Sequence, residues 1–136
     1  KSRSKDPRMA YGNVQDSVGN LMRAFRDLHM HVLFLCKEAV INDDGVLRHA
    51  PKMVGQQLGE TVTYFFDEVL ALRIIEDQDE EGRNTRNRWL QTVYGQGYKA
   101  KDRSGKLDDF ERPDISALIE KLGFSLTNIT KGESNE

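Results

Sequence analysis

Two charged residues, Lys37 and Glu38, directly follow the apolar run of residues 32–36 (VLFLC). A short continuous apolar run is typical of a strand that is buried on both faces in a parallel sheet. In open α/β sheets ligands bind at the carboxyl ends of the strands, so this position favours a binding site that includes Lys37 and Glu38. The alternative is that these two side chains only mark the point at which the strand reaches the surface.

A second group of basic residues, Arg48, His49 and Lys52, lies within residues 39–54. This stretch contains the turn-forming sequence NDDG and a proline and shows no sustained hydrophobic period, which predicts a long loop. Long loops in compact domains are commonly functional or mobile, and cations in such a loop can contact a nucleic-acid backbone. We therefore treat these three residues as candidate DNA contacts.

A third group, Lys101 and Arg103, lies in the sequence KDRSG that follows the last predicted strand. Asp, Arg, Ser and Gly are common turn residues, so the sequence alone favours an ordinary surface turn. In that simpler interpretation Arg103 only pairs with a nearby carboxylate, that of Asp108, Asp109 or Glu111.

The spacing of the remaining residues disfavours other kinds of site. The sequence contains no Gly-x-x-x-x-Gly-Lys-Ser/Thr motif, and the glycines of residues 95–97 are expected at a hairpin turn, so the chain cannot hold a triphosphate alone. The three histidines are not spaced as zinc ligands, and the carboxylates of residues 77–81 lack the ligand spacing of a calcium loop. Cys36, the single cysteine, is expected to be a small buried hydrophobe.

Length and composition indicate one globular domain. A chain of 136 residues can bury one modest core. Its net charge of -2 argues against a dedicated basic surface, although a local patch can still bind phosphates. No apolar stretch approaches the roughly 20 residues that span a bilayer, so we expect no membrane partner and a cytoplasmic location. Because the first residue is Lys rather than Met, we expect the chain to be part of a longer gene product.

Hydrophobic periodicity predicts three helices and a thin sheet. The first helix is amphipathic from Val14 onward, the second lies within residues 58–66, and the third begins after Pro113 and stops at Gly123. The predicted strands are residues 32–36, 69–75 and 89–94, with a solvated charged connection at residues 76–88. Residues 95–97 join the last of these strands to residues 98–101 as a hairpin.

The resulting fold class is α/β, with a partly parallel sheet, a late antiparallel hairpin and flanking helices. Because two parallel strands leave one flank of such a sheet unpaired, we expect further central strands from an N-terminal portion of the protein. The expected core consists of sheet residues and of helix residues that pack on them: Phe34, Leu35, Val69, Leu70 and Leu72 in the sheet, and Val18, Leu21, Phe25, Val62 and Phe66 in the helices.

Four segments resemble, in the same order, a family of phage-encoded AAA/RecA-like P-loop ATPases of the single-strand annealing and recombination type. They are residues 5–12 (KDPRMAYG), 23–28 (RAFRDL), 64–69 (YFFDEV) and 100–105 (AKDRSG). The resemblance covers only the second half of the family's ATPase core. It implies the C-terminal half of a RecA-like domain at residues 1–126, without the phosphate-binding part, followed by a polar tail at residues 127–136.

The resemblance also implies roles for the three groups of charged residues. The RecA-like class has a basic turn after a late strand, which makes Lys101 and Arg103 candidate catalytic cations that act in trans on the ATP of a neighbouring subunit. It places a sensor residue at the end of the strand that corresponds to residues 32–36, where Lys37 and Glu38 are found here. A DNA-contacting loop follows, which corresponds to the loop with Arg48, His49 and Lys52.

The activity implied is ATP hydrolysis at subunit interfaces during recombination or strand annealing. ATP and Mg²⁺ would be the cofactors of the full-length protein, and single-stranded DNA its partner. The protein would form a homo-oligomeric ring or filament, in the host cell cytoplasm if it is phage-encoded. The alternative is a non-catalytic DNA-binding or protein-interaction module that has kept a RecA-like half-fold.

Overall fold

The computed structural model describes residues 7–125, which form three helices and seven strands. The helices are α1 (Pro7–Arg26), α2 (Gln56–Thr61), which continues into a 3₁₀ turn at Val62–Tyr64, and α3 (Ile115–Lys121). The strands are β1 (Glu38–Asp43), β2 (Val46–Pro51), β3 (Glu68–Val69), β4 (Ala71–Gln78), β5 (Asn84–Gln91), β6 (Lys101–Asp102) and β7 (Phe110–Glu111).

The core lies between α1 and α2. Met22 of α1 packs against Leu58 and Val62, and all three side chains are buried. The predicted amphipathic helix is therefore confirmed, and Val18 and Phe66 lie at the edge of this core as expected. Leu21 and Phe25 were expected to pack there too, but their side chains are 56% and 42% exposed.

Residues 38–51 form a β-hairpin, so the prediction of a long loop was wrong. β1 and β2 pair antiparallel from Glu38↔Pro51 to Asp43↔Val46. The turn residues Asp44 and Gly45 both have positive φ angles, 52° and 85°, which match the right-handed twist of the flanking strands. Asn42 Oδ1 accepts a hydrogen bond from the Gly45 amide at 2.7 Å. Asp-Gly is a strong hairpin signal, and the sequence analysis interpreted it only as a general turn signal.

Residues 31–37 lie outside any strand, so the prediction of a buried strand at residues 32–36 was wrong. Within the described part of the chain, residues 31–36 take part in no backbone–backbone hydrogen bond. Phe34 is partly buried between the rings of Phe25 and Phe66, at centroid distances of 5.8 and 5.3 Å. Leu35 is 89% exposed, and Cys36 is exposed rather than buried.

The remaining strands form two small antiparallel sheets. β4 and β5 pair over their whole length, from Ala71↔Gln91 to Gln78↔Asn84, and β7 pairs with the end of β5. Most of the connection predicted at residues 76–88 therefore belongs to strands. The strand predicted at residues 69–75 is confirmed in its main part by β4, although its outward-facing Leu72 is 61% exposed.

β3 pairs with β6 through Glu68↔Asp102 and Val69↔Lys101. The hairpin predicted from residues 89–94 to 98–101 is reduced to a tight turn closed by one bridge between Gly95 and Tyr98, because residue 101 pairs with β3 instead. All strand pairs in residues 7–125 are antiparallel, and the one parallel contact is an isolated bridge between His49 and Tyr98.

α3 matches its prediction closely. Asp114 caps its N-terminus by accepting a hydrogen bond from the Ala117 amide at 3.1 Å, and Gly123 follows its C-terminus with a φ angle of 98°. The fold is thus mixed α/β with small antiparallel sheets, and the parallel sheet and the RecA-like half-fold are not confirmed. The predicted tail at residues 127–136 lies outside the described residues.

Candidate functional site

The basic turn begins at β6, which β3 holds in place. Asp102 organises the turn, because its carboxylate accepts hydrogen bonds from the Ser104 amide and hydroxyl at 2.7 and 2.6 Å and from the Leu107 amide at 2.9 Å. Gly105 has a φ angle of 66°, which favours glycine at this point of the turn. The backbone between Lys101 and Leu107 is therefore fixed by Asp102, and the turn presents Lys101 and Arg103 on a defined scaffold.

Arg103 lies at the surface of this turn. Its Nη1 atom is 2.7 Å from Asp67 Oδ1, and the two side chains are 61% and 74% exposed. An exposed pair of this kind contributes about 0–1 kcal/mol to stability, so Arg103 can exchange Asp67 for another anion at little cost. Arg103 therefore pairs with Asp67 and not with a partner expected from the sequence, and two of those, Asp108 and Glu111, pair with Lys121.

Lys101 is less exposed than Arg103. Partial burial lowers the pKa of the Lys101 ammonium, and the nearby positive charge of Arg103 lowers it further. Both effects disfavour the charged form of Lys101, whereas the carboxylates of Asp67 and Glu68 favour it and raise the pKa. An additional anion next to Lys101 and Arg103 would relieve this repulsion.

Glu68 and Asp102 form a carboxyl pair across β3 and β6. Burial, followed by the interaction with the adjacent Asp102 carboxyl group, raises the pKa of Glu68 to about 7. Partial burial acts against the ionised form of Asp102 as well, but hydrogen bonds from Ser104, Leu107 and Glu68 outweigh it and lower the pKa of Asp102 to about 2. Glu68 Oε2 is buried without a hydrogen-bond partner. Below about pH 7 the pair therefore holds one proton, which is on Glu68.

Arg48 of the hairpin and Lys99, which lies between β5 and β6, meet at Asp43. Lys99 Nζ lies 2.9 Å from Asp43 Oδ1, Arg48 Nε lies 3.4 Å from Oδ2, and the Tyr94 hydroxyl donates to Oδ2 at 2.9 Å. We call these four residues, with Tyr64 next to Lys99, the Asp43 cluster. The hydrogen bonds from Lys99 and Tyr94 lower the pKa of Asp43, so it is a carboxylate at neutral pH. Of this cluster only Arg48 was expected from the sequence as a functional residue, because Asp43 and Tyr94 are 51 residues apart and no local pattern joins them.

His49, the second predicted DNA contact, lies in β2 and is held in place by Glu38 of β1 and by Tyr98. Its Nδ1 atom lies 2.6 Å from Glu38 Oε1, and its ring stacks on Tyr98 at a centroid distance of 4.6 Å. Its backbone also bonds to Gly97 and Lys99, at 2.7 and 2.9 Å. The third predicted contact, Lys52, directly follows β2, and its side chain is exposed.

Lys37 and Glu38 precede and begin β1, so the premise that they end a buried strand was wrong. The Lys37 carbonyl accepts a hydrogen bond from the Lys52 amide at 2.6 Å, and Glu38 is paired with His49. Their role as sensor residues stays a prediction. The structure brings Lys37, Glu38 and His49 together along one cleft, whose lining does not include Lys101, Arg103, Arg48 or Lys52.

This cleft has a volume of about 490 Å³ and is lined mainly by apolar side chains. The five expected sheet-core residues all face it: Phe34, Leu35, Val69, Leu70 and Leu72. Sequence analysis therefore identified the apolar surface correctly, but in residues 7–125 this surface borders an open cleft rather than a filled core.

The chain does not fit a complete ATP or Mg²⁺ site. Its sequence has no phosphate-binding loop, and the described residues contain no group of three His, Cys, Asp or Glu side chains that could hold a metal ion. What the described residues offer is a pair of cations on a fixed turn and a second cluster at the hairpin.

Among the helices of residues 7–125, none is long and apolar enough to cross a membrane.

Comparison with known proteins gives one match. The family model of the AAA domain matches residues 1–104, which is more than half of the chain. No curated protein and no solved structure matches the chain.

Proposed function

The chain belongs to the AAA domain family of P-loop ATPases, and we propose that it works within an ATPase that acts on single-stranded DNA in recombination or strand annealing. ATP is hydrolysed at the interfaces between subunits of a homo-oligomeric ring or filament. In this proposal Lys101 and Arg103 face the ATP that a neighbouring subunit binds, and the β1–β2 hairpin faces the DNA. Phage origin and the cytoplasm of the host cell belong to the same proposal.

The observation that carries the proposal is the presentation of Arg103. Its guanidinium is 61% exposed, its backbone is fixed by the Asp102 turn, and its ion-pair partner Asp67 is 74% exposed. A residue that only stabilised the fold would gain little from such a pair. A guanidinium held in this way is free to donate its fork of N–H groups to phosphate oxygens of another molecule.

Two cations on one turn suit phosphoryl transfer. In that reaction the protein contributes mainly by positioning the reactants and by stabilising charge on the transferred phosphoryl group. Arg103 supplies a rigid bidentate donor and Lys101 a compact charge, and an added anion would favour the charged form of Lys101. Arg103 is exposed at the surface of the turn, where a neighbouring subunit can approach it, and this supports the proposed contact.

The test is ATP hydrolysis by the full-length gene product, in which Arg103→Ala should lower DNA-stimulated turnover by about 10³- to 10⁵-fold. ATP affinity of the isolated protomer should stay near that of the wild type, because the cation acts on a neighbour's ATP. Arg86→Ala is the matched control, since Arg86 is 69% exposed and also paired with a carboxylate, Glu76.

Mixing the Arg103→Ala protein with a phosphate-loop variant should restore part of the activity, because mixed interfaces then contain one intact loop and one intact cation. Full hydrolysis by Arg103→Ala alone would exclude the role of Arg103. A failure of mixing to rescue turnover would exclude action in trans.

The alternative function is a non-catalytic DNA-binding or protein-interaction module. The two functions are separated by ATP-dependent assembly: an ATPase subunit should change its oligomeric state with ATP and Mg²⁺, and a module should bind its partner equally well without them.

A further inference from the structure

The tyrosines beside the hairpin differ in how far their rings are covered. Two groups cover the ring of Tyr98: His49 stacks on it at 4.6 Å with an interplanar angle of 19°, and the Arg73 guanidinium lies 4.7 Å from its centroid. The Tyr94 ring has one such neighbour, the Arg48 guanidinium at 4.4 Å, and Tyr94 is 51% exposed. Tyr98 is thus part of the internal packing, and Tyr94 offers an open ring face.

Tyr94 is also fixed in position. Its hydroxyl donates to Asp43 Oδ2 at 2.9 Å, and Arg48 lies against its ring. The ring is therefore held at two points before any ligand arrives, which lowers the entropic cost of stacking a flat ligand on it.

Tyr64 provides a second exposed ring on the same surface. It is 69% exposed, and its centroid lies 6.0 Å from Lys99 Nζ, which is bonded to the same Asp43 carboxylate as Tyr94. The two rings therefore flank one charged centre. That centre holds two cations, Arg48 and Lys99, and one carboxylate, so its charge is positive.

The cations of this centre, Arg48 and Lys99, are held in place by Asp43. The side chains of Arg48 and Lys99 are 19% and 11% exposed, and both are engaged with Asp43. A ligand would therefore meet aromatic faces backed by positive charge, rather than mobile cations. Unpaired bases attached to a negatively charged backbone have this complementary chemistry, because each base has a flat face to stack.

We propose that Tyr94 is a stacking platform for the bases of single-stranded DNA and that Tyr64 stacks a second base. This inference rests on the proposed DNA-directed function and deepens it by naming the residues that meet the bases. Duplex DNA lacks free base faces, so the platform distinguishes single strands from duplexes.

The experiment measures the fluorescence anisotropy of two labelled oligonucleotides of equal length, one of deoxythymidines and one of abasic residues, with the 136-residue chain. Tyr94→Leu should weaken binding of the thymidine oligonucleotide about 5- to 150-fold, the range that corresponds to the loss of one stacked base. It should leave binding of the abasic oligonucleotide unchanged, because that ligand has only the backbone. Tyr94→Phe keeps the ring and loses only the hydroxyl contact with Asp43, so it should weaken binding of the thymidine oligonucleotide much less than Tyr94→Leu does.

Tyr11→Leu is the matched control, because Tyr11 is 66% exposed on α1 and lies outside the Asp43 cluster. Equal losses on both oligonucleotides, or no loss with Tyr94→Leu, would overturn the stacking platform alone. Duplex DNA that binds the wild type as tightly as the single strand would overturn it too. If the wild type binds neither oligonucleotide, the DNA-directed part of the proposed function fails together with this inference. Circular dichroism of each variant confirms that the fold is retained.

Discussion

The Asp43 cluster and the basic turn contain similar side chains but differ in solvent exposure. At the hairpin, Asp43 is 21% exposed and its partners Arg48 and Lys99 are 19% and 11% exposed. At the turn, Arg103 and Asp67 are 61% and 74% exposed. The partly buried charges around Asp43 hold the hairpin in place. The exposed charge of Arg103 at the turn remains available to an external anion. A count of cations in the sequence does not separate these cases.

The largest expected effect on stability is at Asp43. Asp43→Ala removes the acceptor shared by Lys99, Arg48 and Tyr94 and leaves two partly buried cations without a partner. We expect a loss of about 2 kcal/mol in the free energy of unfolding, measured by urea denaturation. Asp67→Ala should cost at most about 1 kcal/mol, because its partner Arg103 is exposed to water. Equal losses of unfolding free energy in Asp43→Ala and Asp67→Ala would show that the two ion-pair regions contribute equally to stability.

The carboxyl pair at the base of the turn gives a dependence on pH. Glu68 has a folded-state pKa of about 7, above its ordinary value of 4.5, so the folded state binds more protons than the unfolded state between these values. Stability should therefore fall as the pH rises from about 5 to 8, by about 1–2 kcal/mol once solvent screening is allowed for.

Glu68→Gln tests this origin of the pH dependence. The variant keeps a hydrogen-bond donor for Asp102 but cannot ionise, so its stability should be nearly constant over this range. The wild type and the variant should differ most above pH 7, where Glu68 is ionised next to the Asp102 carboxylate. A pH dependence that persists in Glu68→Gln would assign it to another group. Asp102, with its pKa of about 2, should contribute only to the loss of stability in strong acid.

The smallest expected effect is on the salt dependence of DNA binding. Lys52 is exposed, and Arg48 is engaged with Asp43. We therefore expect Lys52→Ala to reduce the slope of log affinity against log salt by about 0.7, the value of one single-strand phosphate contact. Adding Arg48→Ala should change the slope little further. A second decrease of the same size would show that Arg48 leaves Asp43 to contact a phosphate.

Local signals in the sequence predicted the helices better than the strands. The helical period of α1 and the Gly123 stop of α3 are local signals, and both match the structure, although Leu21 and Phe25 of the apolar stripe are exposed. Residues 32–36 have the composition of a buried strand but no strand partner within residues 7–125. Pairing is a long-range property, so composition alone did not decide it.

The candidate sites show the same limit. The basic turn was located because its residues are consecutive, but its actual ion-pair partner, Asp67, is distant in sequence. Tyr94, Lys99 and Glu68 were not singled out, because their importance depends on contacts with residues 43 and 102. The hairpin at residues 38–51 was the avoidable error, since its Asp-Gly turn is a local signal.

The segment at residues 31–36 has a consequence for handling the protein. Its backbone groups take part in no backbone–backbone hydrogen bond with the described residues, and Leu33 and Leu35 are 58% and 89% exposed. Exposed apolar side chains on a segment that belongs to no sheet allow it to associate with other chains. Aggregation should therefore increase with protein concentration, and Leu35→Lys should reduce it without disturbing the core between α1 and α2.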